Sequence, residues 1–183
     1  MSLFGKLFKK DKSKSEEPKS DQITIKTSYT TFYYAPDPHE IGFEAEVQWY
    51  DLPEDPMERV RYMPVGVYID CNTVDTTDAS ICLERFTKLF EDRKWIDYKV
   101  KLAVVDKLAG DDGMIKDEYD GKYTKEEVID SMEITFISVY RDGRIAYSLD
   151  HHCHLNIDGS VHIVYGADGE ISVMDDNEFY KFS

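Results

Sequence analysis

Apolar and polar residues alternate along several short stretches of this chain, which is the pattern of half-buried β-strands. The cleanest alternation covers residues 43–50. Its apolar positions are Phe43, Ala45, Val47 and Trp49, and its polar positions are Glu44, Glu46, Gln48 and Tyr50. The pattern predicts a strand with one buried face and one solvent-exposed face, and the solvent-exposed face is a candidate contact surface.

Two further strands are predicted in the first third of the chain. Residues 23–34 are rich in threonine and tyrosine, so we expect one strand there. Residues 65–69 place Val65, Val67 and Ile69 on one parity and predict a third strand. Prolines 53 and 56 mark the connection between the second and third strands as a loop.

Helical spacing replaces the alternation between residues 79 and 108. Two successive apolar stripes lie there, namely Ala79, Cys82, Leu83, Phe86, Leu89 and Phe90, then Trp95, Tyr98, Leu102, Val105 and Leu108. One helix across both stripes would be about 50 Å long, which exceeds a domain of this size. We therefore expect two helices with a break near residues 92–95. Thr124 and Glu127 form a capping box that predicts a further short helix.

The last third of the chain returns to strand patterns. Residues 132–140 carry apolar side chains on both parities, as a central strand covered on both faces does. Residues 141–143 end in glycine and predict a turn, and residues 145–149 then alternate as a half-buried strand. A last short strand is predicted to begin at Ile171.

A histidine-rich segment, residues 151–154, precedes the last predicted hairpin. A two-residue loop and a three-residue loop both fit, and a one-residue shift between them reverses the faces. The three-residue loop, residues 158–160, pairs Leu155 with Ile163 and collects the apolar residues on one face, so it is preferred. That choice also collects three imidazoles on the other face, from His152, His154 and His162.

Three imidazoles on one face would suit a divalent transition metal such as zinc, with a coordination position left open for substrate. Asp150 or Asp168 would then orient the rings. Diagonal neighbours in a sheet are about 7–8 Å apart, which strains convergence on one ion. The alternative is a solvated sheet face that is rich in histidine, and in the other register His162 is separated from the pair.

The charge of the chain narrows the classes of partner. Its 183 residues suit one domain with a sizeable core, and their net charge is −15 at pH 7. Such acidity argues against a general nucleic-acid binder, because contact with phosphates needs a basic surface. It permits a basic partner, a metal or simply solubility.

The cysteines and the absence of targeting signals bear on the compartment. Cys71, Cys82 and Cys153 are an odd number without CxxC spacing, and the sequence shows neither a signal-peptide core nor a bilayer-length apolar run. We therefore expect a reducing, cytoplasmic setting. The sequence also lacks a nucleophile elbow, a phosphate-binding loop, a dinucleotide fingerprint and an HExxH motif.

Residues 1–22 differ from the rest in composition. They carry six lysines against four acidic residues, beside the apolar residues Leu3, Phe4, Leu7 and Phe8. This pattern predicts a flexible basic tail, with contact to a membrane or a partner as the less favoured alternative. The remaining residues, 23–183, are predicted to form a single domain.

The chain resembles a bacterial family of uncharacterised domains over roughly residues 41–173. The segments that carry the resemblance are Val65-Gly66-Val67-Tyr68-Ile69-Asp70, the helix pair with Trp95, Thr124-Lys125-Glu126-Glu127, Ile137-Ser138-Val139-Tyr140-Arg141-Asp142-Gly143 and His162-Ile163-Val164. The family often has a histidine at the position of His162. Residues 151–154 depart from the acidic and aromatic segment that is usual there. The resemblance implies no established activity.

These observations together predict an α+β domain. We expect a twisted, mainly antiparallel sheet with two main helices that are inserted between the early and late strands and packed on one face. The favoured function is a non-enzymatic intracellular interaction domain, by analogy with immunity proteins that neutralise basic toxins. The second hypothesis is a metal-dependent enzyme that uses the histidine cluster.

Overall fold

The computed structural model describes residues 23–36, 41–52, 64–73, 75–108, 124–151 and 159–182. Their strands are β1 (Thr24–Lys26), β2 (Thr31–Pro36), β3 (Ile41–Val47), β4 (Val65–Asp70), β5 (Met132–Val139), β6 (Ile145–His151), β7 (Val161–Tyr165) and β8 (Ile171–Met174). Their helices are α1 (Ser80–Glu91), α2 (Arg93–Leu108), α3 (Lys125–Asp130) and α4 (Asp176–Phe182). The predicted basic tail, residues 1–22, lies outside the described residues, as do His152, His154 and Cys153.

The strands form one open sheet in sequence order, from β1 to β8. All neighbouring strands are antiparallel except β4 and β5, which are parallel. Parallel neighbours need a crossover connection, and α1, α2 and α3 lie within it in the sequence. The predicted α+β class, with its main helices inserted between early and late strands, is confirmed.

Strand register assigns the side chains to two faces. The first face, here called the helix face, contributes the buried row Phe43, Ile69 and Val139, in which directly paired residues point the same way. The main core joins this face to α1 and α2 through residues such as Phe86 and Val104. The opposite side of the sheet, here called the second face, carries the intervening residues, and α4 packs on it.

The predicted break between the two main helices is confirmed at Asp92. Helix α1 ends at Glu91 and α2 begins at Arg93, with the Asp92 carbonyl accepting hydrogen bonds from the next turn. The predicted second stripe is partly wrong, because Trp95 and Tyr98 are 57% and 46% exposed. The predicted stripe is right towards the end of α2, where Val105 and Leu108 are buried beside Val100 and Val104.

The N-terminal strand prediction also needs correction. Residues 23–34 form parts of two antiparallel strands, β1 and β2, rather than one. A turn separates them, in which the Thr27 hydroxyl donates a hydrogen bond to the Thr30 carbonyl over 2.8 Å. Threonine favours strands, but its hydroxyl also satisfies backbone groups in turns, and composition alone does not separate the two roles.

The predicted pairing of Leu155 with Ile163 is wrong. Ile163 lies between Tyr147 of β6 and Val173 of β8, so both of its strand edges are occupied. Strand β6 extends to His151 and pairs with β7. The prediction of a half-buried strand at residues 145–149 is also wrong, because residues 146–149 are all buried and both faces of β6 are covered. Helix α4 was not predicted, and its Phe179 packs against Ala146 and Val164 on the second face.

Candidate functional site

His162 is the one predicted metal ligand within the described residues. It lies on β7, is 4% exposed and faces the second side of the sheet. Its Nδ1 is 2.9 Å from Ser148 Oγ and its Nε2 is 2.7 Å from Asp176 Oδ1. Both ring nitrogens are therefore engaged. Among the described residues no group of three or more potential ligands could hold a metal, and the site at His152, His154 and His162 stays a prediction.

Ser148, His162 and Asp176 are the residue types of a serine-hydrolase triad, but their arrangement does not suit nucleophilic catalysis. A nucleophilic serine has to reach the substrate. Here Ser148 is buried, and the solvent-facing member of the chain is Asp176, whose side chain is 39% exposed. The hydrogen bonds instead attach α4 to the sheet.

The open part of the second face forms a groove between β2 and β5. Helix α4 packs on the other part of this face, against β6 and β7. The groove has a volume of about 610 Å³. Its lining includes Tyr33, Ala35, Glu44, Glu46, Gly66 and Phe136.

Strand register places Glu44 between two aromatic residues and Glu46 opposite a glycine. Glu44 is paired with Tyr33 on β2 and with Tyr68 on β4. Glu46 is paired with Gly66, which is in turn paired with Phe136 on β5. Because side chains two residues apart in a strand share a face, both carboxylates belong to this groove.

Gly66 allows the Phe136 ring to lie across β4 towards Glu46. A Cβ atom at Gly66 would be only 2.5 Å from Phe136 Cδ2, so a larger residue would displace the ring. Tyr68 lies over Gly42 in the same manner, and its hydroxyl donates to the Ile41 carbonyl over 3.1 Å. Each glycine thus allows an aromatic ring to lie close to the sheet, and the ring over Gly66 lines the groove.

Tyr50 does not lie on a solvent-exposed face, so its assignment to the predicted contact surface is wrong. The β3 ladder ends at Val47, and the alternation of faces ends with it. The Tyr50 hydroxyl donates to Asp97 Oδ1 over 2.9 Å and accepts from the Ile134 amide over 2.6 Å. Burial, and then the charge of Asp97, raise the pKa of Tyr50 well above its usual value. Lys101 completes the network with an ion pair to Asp97 at 2.8 Å.

The two described cysteines are not candidates for nucleophilic chemistry. Cys71 and Cys82 are buried free thiols. Burial raises the pKa of Cys82 to about 11 and also raises the pKa of Cys71. Because the thiolate is the reactive form, burial and the raised pKa of both thiols argue against a nucleophilic role.

The sequence predicted the acidic residues of this groove but not its aromatic residues. Glu44 and Glu46 were predicted to face solvent, but Tyr33, Gly66 and Phe136 were not connected with them. The position of Phe136 depends on the parallel pairing of β4 with β5, which are far apart in the sequence. The available signal was Gly66 inside an otherwise bulky strand, since a glycine there often marks close approach of another group.

Comparisons with protein-family models, with curated proteins and with solved structures found no match in any of the three. The resemblance to a bacterial family of uncharacterised domains therefore stays a prediction. Within the described part of the chain, no helix has the length and apolar character needed to cross a bilayer.

Proposed function

We propose that this protein is a non-enzymatic, cytoplasmic interaction domain whose groove on the second face binds a basic segment of a partner protein. The observation that carries this proposal is the pair of carboxylates, Glu44 and Glu46, set in a concave surface between aromatic side chains. The analogy with immunity proteins that neutralise basic toxins supports the same class of function.

Charge complementarity determines the kind of partner. A net charge of −15 gives the chain a field that attracts cations over a distance, and a concave acidic surface concentrates that field. Lys26 pairs with Thr31 at the outer edge of the sheet, so a cation borders the groove on one side. We therefore expect the basic segment to approach from the side of β4 and β5.

The size of the groove determines how much of the partner enters it. Its volume of about 610 Å³ is typical of a site for a small ligand. It accommodates a few side chains of a partner. The proposed occupant is therefore a short exposed segment rather than a whole surface.

Fluorescence anisotropy with the full chain and a labelled lysine- and glycine-containing peptide tests the proposal. We expect saturable binding that weakens as salt rises and falls about tenfold in Glu44→Gln/Glu46→Gln. The matched control is Glu84→Gln/Glu91→Gln, which removes the same charge from exposed positions on α1. Equal losses in both double variants would show diffuse attraction without a groove site and would overturn the proposal.

Two other occupants of the groove, the chain's own N-terminal segment and a second copy of the chain, would each give a different experimental result. An unlabelled peptide with the sequence of residues 1–22 is the first competitor, because that segment is itself basic. Its displacement of the probe at lower concentration than an equally charged scrambled peptide would assign the groove to the chain's own N-terminal segment. Sedimentation that shows a dimer dissociated by Glu44→Gln/Glu46→Gln would assign it to a second copy. Either result would overturn the proposal that the groove binds a segment of a separate partner protein.

A further inference from the structure

Lysine and arginine carry the same charge but differ in the geometry of the site that each prefers. An ammonium group is a compact, strongly hydrated charge, whereas a guanidinium group is planar, stacks on aromatic rings and binds carboxylates through two parallel hydrogen bonds. A site that joins a carboxylate to an aromatic face therefore distinguishes between the two residues.

The groove contains this combination twice. Glu46 is paired with Gly66, and the Phe136 ring lies over Gly66. Glu44 lies beside Tyr33, its direct partner on β2, and side chains paired in this way have Cβ atoms about 4.5–5.5 Å apart. Each carboxylate accepts several hydrogen bonds, so bonds to neighbouring groups do not prevent it from accepting more from a ligand.

The spacing of the two carboxylates is that of alternate residues in an extended chain. Glu44 and Glu46 are two residues apart on one strand, which corresponds to a separation of about 7 Å. A peptide in extended conformation above β3 presents its own residues i and i+2 towards the groove with the same separation. One such peptide therefore places two side chains on the two carboxylates at once.

We infer that the groove recognises an extended Arg-x-Arg segment, with one arginine between Glu46 and Phe136 and the other between Glu44 and Tyr33. This inference rests on the proposed function and specifies its partner. Bidentate contact with each carboxylate fixes the guanidinium planes, and the two aromatic rings cover one face of each plane.

Four labelled peptides of equal length and net charge test the inference by anisotropy with the full chain. They contain Arg-Ser-Arg, Lys-Ser-Lys, Arg-Arg-Ser and Arg-Ser-Ser-Arg between uncharged flanking residues, and the last peptide has one flanking residue fewer. We expect Arg-Ser-Arg to bind about tenfold more tightly than each of the others. Equal affinity of the four peptides, with all of them weakened in Glu44→Gln/Glu46→Gln, would overturn the inference and leave the proposed function standing. Absence of binding by every peptide would overturn both.

Substitution of the ring separates stacking from charge. Phe136→Leu keeps an apolar side chain and both carboxylates, and we expect it to weaken Arg-Ser-Arg about fivefold and to change Lys-Ser-Lys by less than about twofold. Tyr33→Leu provides a second variant at a more exposed position, should Phe136→Leu alter the fold as judged by circular dichroism. An unchanged ratio of arginine to lysine affinity in Tyr33→Leu and in folded Phe136→Leu would contradict the assigned stacking.

Discussion

The imidazole of His162 lies parallel to the ring of Phe179, with ring centroids 4.1 Å apart and an interplanar angle of 2°. The same imidazole reaches Asp176 Oδ1 through Nε2 at 2.7 Å. One side chain of β7 therefore contacts α4 both by its ring face and by its ring edge. This double contact explains how a helix of seven residues holds a fixed position on the sheet, since isolated helices of that length are marginal in water.

Removal of the stacked ring should release α4. Phe179 is 5% exposed, so we expect Phe179→Ala to lower the free energy of unfolding by about 3 kcal/mol, through lost burial and the cavity left behind. Urea denaturation measures this change, and hydrogen exchange should show faster opening of α4. Tyr180→Ala is the control on the same helix, because Tyr180 is 38% exposed and should cost less than about 1 kcal/mol. Equal losses of unfolding free energy in Phe179→Ala and Tyr180→Ala would contradict the role assigned to the stacking of Phe179 on His162.

Gly159 and Gly169 offer a matched test of the contact with Asp176. Both glycines have positive φ, of 89° and 86°, but a Cβ atom would overlap the Asp176 carboxylate only at Gly159. We expect Gly169→Ala to cost about 1 kcal/mol, from backbone strain alone. Gly159→Ala should cost at least about 2 kcal/mol, because the carboxylate has to move as well.

Thermal unfolding of the two alanine variants checks this difference. The variant Gly159→Ala/Asp176→Ala separates the two contributions, since the steric part of the Gly159→Ala cost should be absent once the carboxylate is removed. Equal melting temperatures for Gly159→Ala and Gly169→Ala would show that Asp176 is not held against Gly159 in solution.

Much of the sheet was predictable because its information is local. The alternation that places Phe43 and Val47 on the buried face of β3 depends only on neighbouring residues, as does the capping box of Thr124 and Glu127. That capping box is confirmed, with the Glu127 amide donating to Thr124 Oγ1 over 3.2 Å.

Contacts between residues that are distant in the sequence were not predictable in the same way. The partner of Ile163 was assigned by proximity to Leu155, whereas the structure pairs it with Tyr147 across a longer connection. Tyr50 was assigned to the solvent-exposed face by strand alternation. The β3 ladder ends before Tyr50, and its hydroxyl donates a hydrogen bond to Asp97 of α2. In both cases the competing interaction comes from an element whose position depends on the whole fold.

The buried phenols of Tyr50 and Tyr147 should make the protein sensitive to alkali. Burial raises the pKa of both side chains above the usual value of 10.0. In the unfolded chain these phenols lose their protons near that value, while in the folded protein they stay neutral. Their contribution to stability is therefore complete below about pH 10 and declines as the pH rises further.

Urea denaturation between about pH 9 and about pH 11 measures this decline. Tyr50→Phe should make the free energy of unfolding decline less steeply with pH. At neutral pH it should also lower the free energy of unfolding by about 1–3 kcal/mol, because Asp97 and the Ile134 amide lose a hydrogen-bond partner. Tyr33→Phe is the control, since Tyr33 is exposed on the second face. A slope unchanged by Tyr50→Phe would contradict the buried position of that phenol.

Gly66→Ala should weaken the groove without changing its charge. The added methyl group would lie 2.5 Å from Phe136 Cδ2, so the ring has to move away from Glu46. We expect affinity for the Arg-Ser-Arg peptide to fall about fivefold, as it does when the ring is replaced in Phe136→Leu. In the double variant Gly66→Ala/Phe136→Leu the loss should be no greater than in Phe136→Leu alone, because both changes remove the same stacking surface. If the two losses instead added in full, the methyl group at Gly66 would act on the peptide directly rather than through the ring.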